Sequence, residues 1–395
     1  MEFLGYPRPD GSFGIRNYVL IIPGGLVGEK IAEFVPGTKT TVTANLGGGC
    51  TSRDREAAAR VLIGLGRNPN VASVIVQGNS ASGGYPELRM SRLAAEIAAS
   101  GKPVVQIDAS KEGGSLEAIK RGVEAARELV YEASKVRRQL APLGKLTLGV
   151  KCGSSDPTSG LAGNPAIGYL FDRVVDAGGV AMFGETTEVI GAEHIVAKRA
   201  VNEDVARELL ARVRFIEERA LATGEDIRTV NPVPANIAAG ISTLEEKSLG
   251  AMHKSGHRPI QGVLNYAERP AGRGLYFCDN WMSRNSIFVG YAASGAQLTL
   301  FQYGGGGVPG VSVLDTSTAV VAPLMWCSAN PITRDRTRGS LDYYSGTVIE
   351  GAETPEEAGE RLVRQVCDIA SGTLTHGETV SFAEPFEVYT LDPVF

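Results

Sequence analysis

Residues 184–194 place three carboxylates and one of the chain's four histidines within a single short segment. These groups are Glu185, Glu188, Glu193 and His194. Carboxylates and imidazole suit a divalent metal, and they also serve as general acids and bases. On a regular helix Glu185 and Glu188 lie roughly 60° apart with His194 opposite Glu185, so the groups converge only where the helix starts late or Gly191 breaks it. A solvated helix start, where acids favour the helix dipole, explains the same pattern.

Two lysines lie in polar segments beside predicted helices. Lys151 ends a predicted strand and is followed by Cys152 and Asp156. Asn164 then opens a helix whose free N–H groups can bind an anion, although simple capping explains this segment equally well. Lys247 follows two glutamates, and a buried lysine near carboxylates can act as a base with a lowered pKa. Exposure of that group on a helix is the interpretation that the sequence alone favours.

Glycine and arginine mark further candidate substrate contacts. Gln302 and Gly305 belong to a segment with four consecutive glycines, 304–307, where backbone N–H groups can hold a carboxylate. Tight turns explain such clusters more often. Arg8 and Arg16 flank a Pro-Asp-Gly turn and can bind a carboxylate through paired hydrogen bonds. A surface turn before the first strand is at least as good an explanation.

The elements that must position these groups alternate between strand and helix. In the first ~140 residues, apolar runs predict strands at 18–22, 40–44, 71–77 and 103–107, and helical spacing predicts helices at 26–34, 53–65, 87–99 and 115–138. Such alternation indicates an α/β fold, here a Rossmann-like parallel sheet with covered faces. Ligands bind outside the carboxyl ends of such strands, so the loops 23–25, 45–54 (with Cys50) and 77–85 are candidate ligand loops.

A second domain is expected to begin after a Pro-Leu-Gly segment at 142–144. We therefore predict an N-terminal domain at 1–144 and a larger α/β C-terminal domain at 145–395. Strands are predicted there at 146–150, 180–183, 298–301 and 311–314, and helices at 166–177, 201–223 and 354–371. The stretch from Asn231 onwards is rich in Pro and Gly and gives no clear topology.

Composition excludes several classes of protein. The 395 residues are 43% hydrophobic and 21% charged, which are ordinary globular values. A net charge of −5 disfavours a general binder of nucleic acid or of anionic membranes. No apolar run is long enough to span a membrane, and the start lacks a signal-peptide core. Five widely spaced cysteines with no CxxC pair fit a reducing compartment, so we expect a cytoplasmic protein.

Five segments in order resemble one family, the altronate/galactarate dehydratases, which includes sulfolactate sulfo-lyase. The matching segments are 5–23 (GYPRPDGSFGIRNYVLIIP), 151–168 (KCGSSDPTSGLAGNPAIG), 185–194 (ETTEVIGAEH), 231–250 (NPVPANIAAGISTLEEKSLG) and 294–301 (SGAQLTLF). Each is weak alone, whereas five in family order across nearly the whole chain are strong. The stretch 183–186 (FGET) is closer to the sulfo-lyase version than to the sugar-acid version.

The resemblance implies elimination from a small hydroxy acid, such as a sugar acid, to give a 2-keto acid, usually with Fe²⁺ or Mn²⁺. In such chemistry a base removes the proton α to the carboxylate, cations hold the enediolate, and an acid helps the β-group to leave. Transferred to this sequence, it predicts catalytic, substrate-binding and metal-binding residues. The predicted catalytic residues are Glu185, Lys151, Lys247 and His194. The predicted substrate-binding residues are Arg16, Asp156, Asn164, Gln302 and Gly305. The predicted metal ligands are Glu188, Glu193 and Cys50.

Three loops depart from the family pattern. No histidine precedes Cys50, no second cysteine follows the strand at 71–76, and four glycines stand at 304–307 where the family usually has Thr-Gly-Arg/Gln-Gly. If those positions bind metal or substrate in the family, this protein uses other ligands, acts on another substrate, or binds without turnover.

Water is therefore the first-choice leaving group and sulfite the second. A non-catalytic subunit that binds a hydroxy acid is an alternative, and a nicotinamide-dependent oxidoreductase is a weaker one, because no strand-GxGxxG-helix unit is present. Family members often carry a small extra domain of the SAF type, fused or as a separate subunit. Since this chain begins directly at the Gly5 motif, we predict a separately encoded small partner and a hetero-oligomer.

Overall fold

The structure, a computed structural model, describes residues 1–41, 47–305, 318–337, 339–380 and 386–395. The predicted strand at 311–314 and most of that at 40–44 lie outside these residues, as do parts of the loops 45–54 and 302–310.

Strands and helices alternate along most of the chain. The strands are β1 Glu2–Pro7, β2 Phe13–Gly14, β3 Tyr18–Ile22, β4 Thr38–Thr40, β5 Val71–Gly78, β6 Val104–Asp108, β7 Gln139–Pro142, β8 Thr147–Gly153, β9 Val180–Gly184, β10 Ile260–Leu264, β11 Gly274–Cys278, β12 Leu298–Tyr303, β13 Thr318–Ala319, β14 Ala322–Ser328 and β15 Tyr343–Tyr344. The α-helices are α1 Leu26–Phe34, α2 Ser52–Arg67, α3 Met90–Ala98, α4 Ala109–Glu112, α5 Ser115–Ser134, α6 Asn164–Asp176, α7 Glu193–Ala197, α8 Glu203–Ala222, α9 Ile227–Val230, α10 Pro234–Ala238, α11 Leu244–Met252, α12 Arg284–Ala293, α13 Pro331–Arg336 and α14 Pro355–Ala370.

The first sheet is four-stranded and parallel, in the order β4-β3-β5-β6. Apolar residues of β3 and β5 face both ways: Ile21 and Ile75 pack with α1 and α5, while Leu20 and Val74 pack with α2 and α3. Burial on both faces explains why these strands read as continuous apolar runs. The expected α/β class and the Rossmann-like arrangement of this sheet are confirmed.

The second sheet carries seven parallel strands in the order β10-β11-β9-β8-β12-β14-β15, and the short β13 pairs antiparallel with β14. From β8 the chain moves one way along the sheet through β9 to β11 and β10, and it then returns to the other side of β8 with β12. The direction therefore reverses between β8 and β12. In open parallel sheets, the crevice at such a reversal, beyond the carboxyl ends of the strands, is the usual ligand site.

A small antiparallel sheet, β2-β1-β7, was not predicted. Of the two explanations of segment 5–11, the turn is present at Pro9-Asp10-Gly11, where the Gly11 N–H donates to the Arg8 carbonyl. The residues before it belong to β1. The helix predicted at 115–138 stops at Ser134, because 139–142 pair with β1.

The two parallel sheets share a buried boundary through α2 and α12. A side chain at Gly64 would collide with the Ala293 carbonyl oxygen at 2.3 Å, so the two helix backbones touch there. The buried Asn68 amide donates to the carbonyl oxygens of Ala292 and Ala296 at 2.7 and 2.8 Å. Packing and hydrogen bonds thus fix the two halves against each other.

The structure answers two questions that the sequence left open. The stretch from Asn231 contains α10, α11, β10, β11 and α12 in succession. Asn164 does not open a free helix end, because a π-helix over Ser159–Gly163 runs directly into α6. No helix among the described residues is long and apolar enough to cross a membrane, and all five cysteines are free.

Candidate active site

The carboxyl ends of β8 and β9 bring the first group of predicted residues together. Lys151 and Cys152 lie on β8, and Glu185 follows β9 directly. A single 3₁₀ turn over Thr186–Glu188 then brings Glu188 back beside Glu185, and the Glu188 N–H donates to the Glu185 carbonyl at 2.7 Å. Gly191 has φ +88° and α7 begins only at Glu193, so the helix starts late, but Glu193 and His194 do not join Glu185 and Glu188.

Two of the four described non-glycine residues with positive φ lie at these strand ends. Glu185 has φ +69° and Ser154, after β8, has φ +44°, in the left-handed region that non-glycine residues rarely adopt. Such conformations cost on the order of 1 kcal/mol and persist where the surroundings impose them, commonly at functional sites.

Four charges meet in what we call the buried cluster, formed by Lys151, Glu185, Glu188 and Lys254. The Lys151 ammonium contacts Glu185 Oε1 at 2.9 Å, and the Lys254 ammonium contacts Glu185 Oε2 at 3.4 Å and also bonds to Glu188. All four side chains are at most 8% exposed. Two carboxylates and two ammonium groups therefore neutralise one another out of water.

The cluster drives the pKa values of its two carboxyls apart. Burial, reinforced by the charge of Glu188, raises the pKa of Glu185. Burial acts the same way on Glu188, but the positive charges of Lys254, Lys247 and Lys151 outweigh it and hold the pKa of Glu188 at about 2. One carboxyl with a raised pKa beside one with a lowered pKa is the arrangement expected of acid/base pairs.

Cys152 links the cluster to its surroundings. Its thiol bonds to Glu188 and lies 3.0 Å from the Ser155 hydroxyl, while its backbone N–H donates to Glu185 at 3.3 Å. Burial and the charge of Glu188 raise the pKa of the thiol to about 12. It is therefore a neutral thiol at physiological pH.

Cys152, Glu185 and Glu188 could hold a metal ion by distance, because one ligand atom from each lies within 4.8 Å of the others. Their chemistry fits less well. Both carboxylates already bond to ammonium groups, and a thiol must lose its proton to become a good ligand.

A cleft of about 300 Å³ lies beside the cluster, walled by residues 155–164 on one side and 241–253 on the other. Asp156, Asn164 and Lys247 are among its lining residues. The Lys247 ammonium donates to Asn231 Oδ1 at 2.6 Å, and the Asp156 carboxylate accepts from the Asn330 amide at 2.7 Å. The cleft therefore presents a cation and an anion that are each held by an asparagine.

Two buried amides near the cleft have unused hydrogen-bonding capacity. The Asn164 amide donates to the Gly250 carbonyl at 2.8 Å, but its Oδ1 has no partner among the described residues. Neither amide atom of Gln302 has one there. Gly163 packs so closely on the Gln302 amide that a Cβ would come within 2.1 Å of Nε2. Unpaired buried polar atoms are costly, and a polar ligand would satisfy them.

The cleft and the buried cluster are adjacent. Ser155 lines the cleft and contacts the Cys152 thiol, and Lys247 lines the cleft while its charge acts on Glu188. Both features lie at the carboxyl ends of β8, β9 and β12, at the chain reversal described above. The structure thus brings together Lys151, Asp156, Asn164, Glu185, Glu188, Lys247 and Gln302.

Other predicted residues lie elsewhere. Arg16 is buried in an ion pair with Glu378 at 2.6 Å and also donates to the Ile369 and Thr373 carbonyls. Cys50 lies in the N-terminal half, where its carbonyl accepts from Arg55. His194 is exposed at the start of α7.

Glu193 and Gly305 make local contacts. The Glu193 carboxylate accepts the Gly191 N–H within its own loop. Gly305 adopts φ +79° and donates its N–H to the Ser154 carbonyl at 2.9 Å, so its backbone lies at the carboxyl end of β8.

Sequence reasoning missed Lys254, Asn231 and Asn330 as site residues. Lys254 lies in a short 3₁₀ turn between two histidines, and nothing local distinguishes it from an exposed lysine. The asparagines are signalled only by their position beside proline, at Asn231-Pro232 and Asn330-Pro331.

Comparison with known proteins places both halves in one family. The family model described as D-galactarate/altronate dehydratase, C-terminal, matches residues 143–391, and that described as D-galactarate dehydratase/altronate hydrolase, second domain, matches residues 5–134. A (2R)-sulfolactate sulfo-lyase subunit beta from Chromohalobacter salexigens is 34% identical over 97% of this chain and 96% of its own length. Galactarate dehydratase (L-threo-forming) from Escherichia coli is 32% identical over 68% of this chain, but the match covers only half of its own length. Altronate dehydratase from Bacillus subtilis is 28% identical over 97% of this chain and 76% of its own length.

Proposed function

The chain belongs to the D-galactarate/altronate dehydratase family of carbon–oxygen lyases, and from this premise we propose that it eliminates water from a small hydroxy acid. The proton α to the carboxylate and the hydroxyl on the next carbon leave, and the resulting enol rearranges to a 2-keto acid. The observation that carries the proposal is the pair of buried carboxyls with divergent pKa values beside a polar cleft at the chain reversal.

We assign substrate binding to the cleft. Lys247 offers a cation for the substrate carboxylate, and its charge would stabilise the enediolate as negative charge develops. Asn164 Oδ1 can accept from a substrate hydroxyl, and Asp156 and Gln302 offer further hydrogen-bonding groups for hydroxyls. Roles for Arg16, Cys50, Glu193 and His194 in binding or catalysis find no support in their positions.

Glu185, paired with Lys151, is the proposed proton acceptor. A base must lie within hydrogen-bond reach of the proton that it removes, and Glu185 is 1% exposed. The substrate would therefore have to reach the part of the cleft lined by Ser155, which contacts Cys152 of the cluster's surroundings and is close to the charges of the cluster. The ionised Glu188 keeps Glu185 basic enough to accept the proton.

The experiment is Glu185→Gln, which keeps the shape of the side chain but cannot accept the proton. We expect turnover to fall by about 10²-fold or more, the usual worth of a general base. The control is Glu245→Gln. Glu245 is an exposed residue of α11 that lies beside Arg228, and its substitution should leave turnover unchanged. Full activity of Glu185→Gln contradicts the assignment.

Sulfite as the leaving group is the second candidate, favoured by the 34% identity to the sulfo-lyase subunit along 96% of that subunit. The same base and the same cleft would serve, because the α-proton is removed in both reactions. The name of this relative also supports the proposal of a separate partner subunit for this chain. A binding subunit without turnover is the outcome if no product forms.

Fe²⁺ or Mn²⁺, expected from the family resemblance, stays a prediction for the protein as a whole. Bound metal would supply Lewis-acid stabilisation of the enediolate. We derive no step through an ion at Cys152, Glu185 and Glu188, because ammonium groups already balance those carboxylates.

A further inference from the structure

We infer that Lys254 takes the place of a divalent cation between Glu185 and Glu188, so that the buried cluster holds no metal in the intact protein. The inference concerns the cluster's own occupancy and does not depend on the proposed reaction. Its basis is the position of one ammonium group: Lys254 is 0% exposed and its Nζ bonds to both carboxylates. A cation that bridges two carboxylates is the role a metal would otherwise have there.

The backbone that carries Lys254 is clamped, so the ammonium cannot readily withdraw. A Cβ on Gly168 of α6 would lie 2.2 Å from the His253 carbonyl oxygen. One turn further along α6, the Asp172 carboxylate accepts the N–H groups of His257 and Arg258 at 2.7 and 3.2 Å. The chain is thus fixed to α6 both before and after Lys254, and a metal ion would have to displace the ammonium rather than find it absent.

Charge balance points the same way. Glu185 and Glu188 are matched by Lys151 and Lys254, and Lys247 adds a further positive charge nearby. A dication added to this set would leave a large net positive charge in a water-free interior, which is strongly unfavourable. Although burial lowers the pKa of Lys254, the charges of Glu188 and Glu185 and the hydrogen bond to Glu188 act against it and that pKa is raised, so the ammonium persists.

The third ligand atom is also unsuited to a metal. Cys152 carries a neutral thiol that bonds to Glu188 and contacts Ser155. Metal binding would require loss of this proton in surroundings that already hold two carboxylates. Removal of the Lys254 charge should reverse the balance, since two carboxylates and a thiol without Lys254 resemble a vacant site for a divalent ion.

The test uses Co²⁺, whose thiolate complexes absorb in the near ultraviolet, on the full chain after treatment with a chelator. For the wild type we expect no thiolate–cobalt absorption, and Cys152→Ser and Glu188→Gln should bind as many Co²⁺ ions as the wild type. Lys254→Gln should gain about one equivalent of Co²⁺ per chain with the thiolate band, because the cluster offers one set of ligands. Lys247→Gln is the matched control, a nearby lysine bonded to Asn231 instead of to the carboxylates, and should gain none.

Three results would overturn the inference. One is a thiolate–cobalt band in the wild type that Cys152→Ser abolishes, and another is a lower metal content in Glu188→Gln. The third is a folded Lys254→Gln protein, verified by circular dichroism, that gains no ion. If Lys254→Gln does not fold, the Cys152→Ser and Glu188→Gln comparisons decide the question alone. Ion counting is independent of turnover, so an inactive protein leaves the test intact.

Discussion

At the scale of single residues, the site depends on which buried polar groups are paired. Lys151, Lys254, Glu185 and Glu188 satisfy one another, whereas the amides of Asn164 and Gln302 keep unused atoms. The paired set shapes the electrostatics, and the unpaired set is free to bind a ligand. Each kind of residue should respond differently to substitution.

Glu188 and Glu185 should give opposite pH dependence of stability. The pKa of Glu188 is about 2, against an ordinary value of 4.5. Its ionised form therefore stabilises the fold at pH values above about 4.5, and this stabilisation is lost as the pH falls towards 2. The cost of Glu188→Gln in free energy of unfolding should therefore shrink on acidification. Because the pKa of Glu185 is raised, ionisation of that group opposes folding as pH rises, so the cost of Glu185→Gln should shrink in the alkaline direction. Urea unfolding across pH measures both, and parallel trends would contradict the account.

Two buried glutamines offer a matched comparison. Gln297 is fully bonded, to the Thr147 N–H and to the Phe13 and Lys145 carbonyls, so Gln297→Met should cost about 1–3 kcal/mol by leaving partners unsatisfied. Gln302→Met removes atoms that have no partner among the described residues and should cost less, while it raises KM if the amide binds substrate. Urea unfolding and steady-state kinetics separate the two effects. Equal stability losses with unchanged KM would show that Gln302 is an ordinary core residue.

At the scale of elements, the Arg16–Glu378 ion pair ties the start of the chain to its last turns. Both side chains are at most 6% exposed, and Arg16 also donates to the carbonyls of Ile369, in the last turn of α14, and of Thr373 after it. Arg16→Met should cost about 3–5 kcal/mol, because it leaves Glu378 buried and uncompensated. The control is Arg258→Met, which breaks the half-exposed pair with Asp176 and should cost under about 1 kcal/mol.

Denaturant unfolding measures the loss of stability in Arg16→Met and in Arg258→Met. Steady-state kinetics tests the alternative, that Arg16 contacts the substrate. A small stability loss with a raised KM for Arg16→Met would favour the original prediction of a substrate contact. A cost equal to that of Arg258→Met would remove the argument for a structural tie.

Local patterns predicted the elements that local forces determine. The strand at 18–22 and the helix at 26–34 were predicted to the residue, because apolar runs and helical spacing are visible within a few positions. The pairing of β1 with β7 was missed because the two strands are about 130 residues apart and short. Lys254 was missed for a related reason: a lysine becomes buried only where distant carboxylates balance its charge.

For the candidate site, the sequence supplied residue types and their places at strand ends, and the fold supplied the selection among them. Glu185 and Glu188 converge through a 3₁₀ turn, whereas Glu193 and His194, which follow Gly191, stay outside the cluster. The separation of Arg16 and Cys50 from that group depended on the packing of the two halves, which no local motif encodes.

At the scale of the whole molecule, two parallel sheets share a core and the site lies at the chain reversal of the larger one. The matches at 5–134 and 143–391 support our proposal of a division near residue 144. The N-terminal sheet has its own reversal between β3 and β5, and the loops there hold Gly24, whose N–H donates to Thr41. We propose no chemistry for that edge.

The partner prediction belongs to this scale. If a small subunit completes the enzyme, turnover by the purified chain should rise when the separately encoded small partner is added. The two proteins should also co-elute in size-exclusion chromatography. Full activity of the chain alone, with no complex formed, would contradict the prediction of a hetero-oligomer.

The most direct test of the central claim is product formation by the purified chain, with and without the small protein and with and without Fe²⁺ or Mn²⁺. The substrates are aldonates, aldarates and sulfolactate, and 2-keto acid and sulfite are measured separately. We predict 2-keto acid without sulfite from a sugar acid, and loss of that product in Glu185→Gln. If sulfite is released, the proposed base and cleft still hold, but the leaving group is sulfite instead of water. No 2-keto acid from any substrate, together with tight binding of a hydroxy acid, would contradict the account and identify a binding subunit.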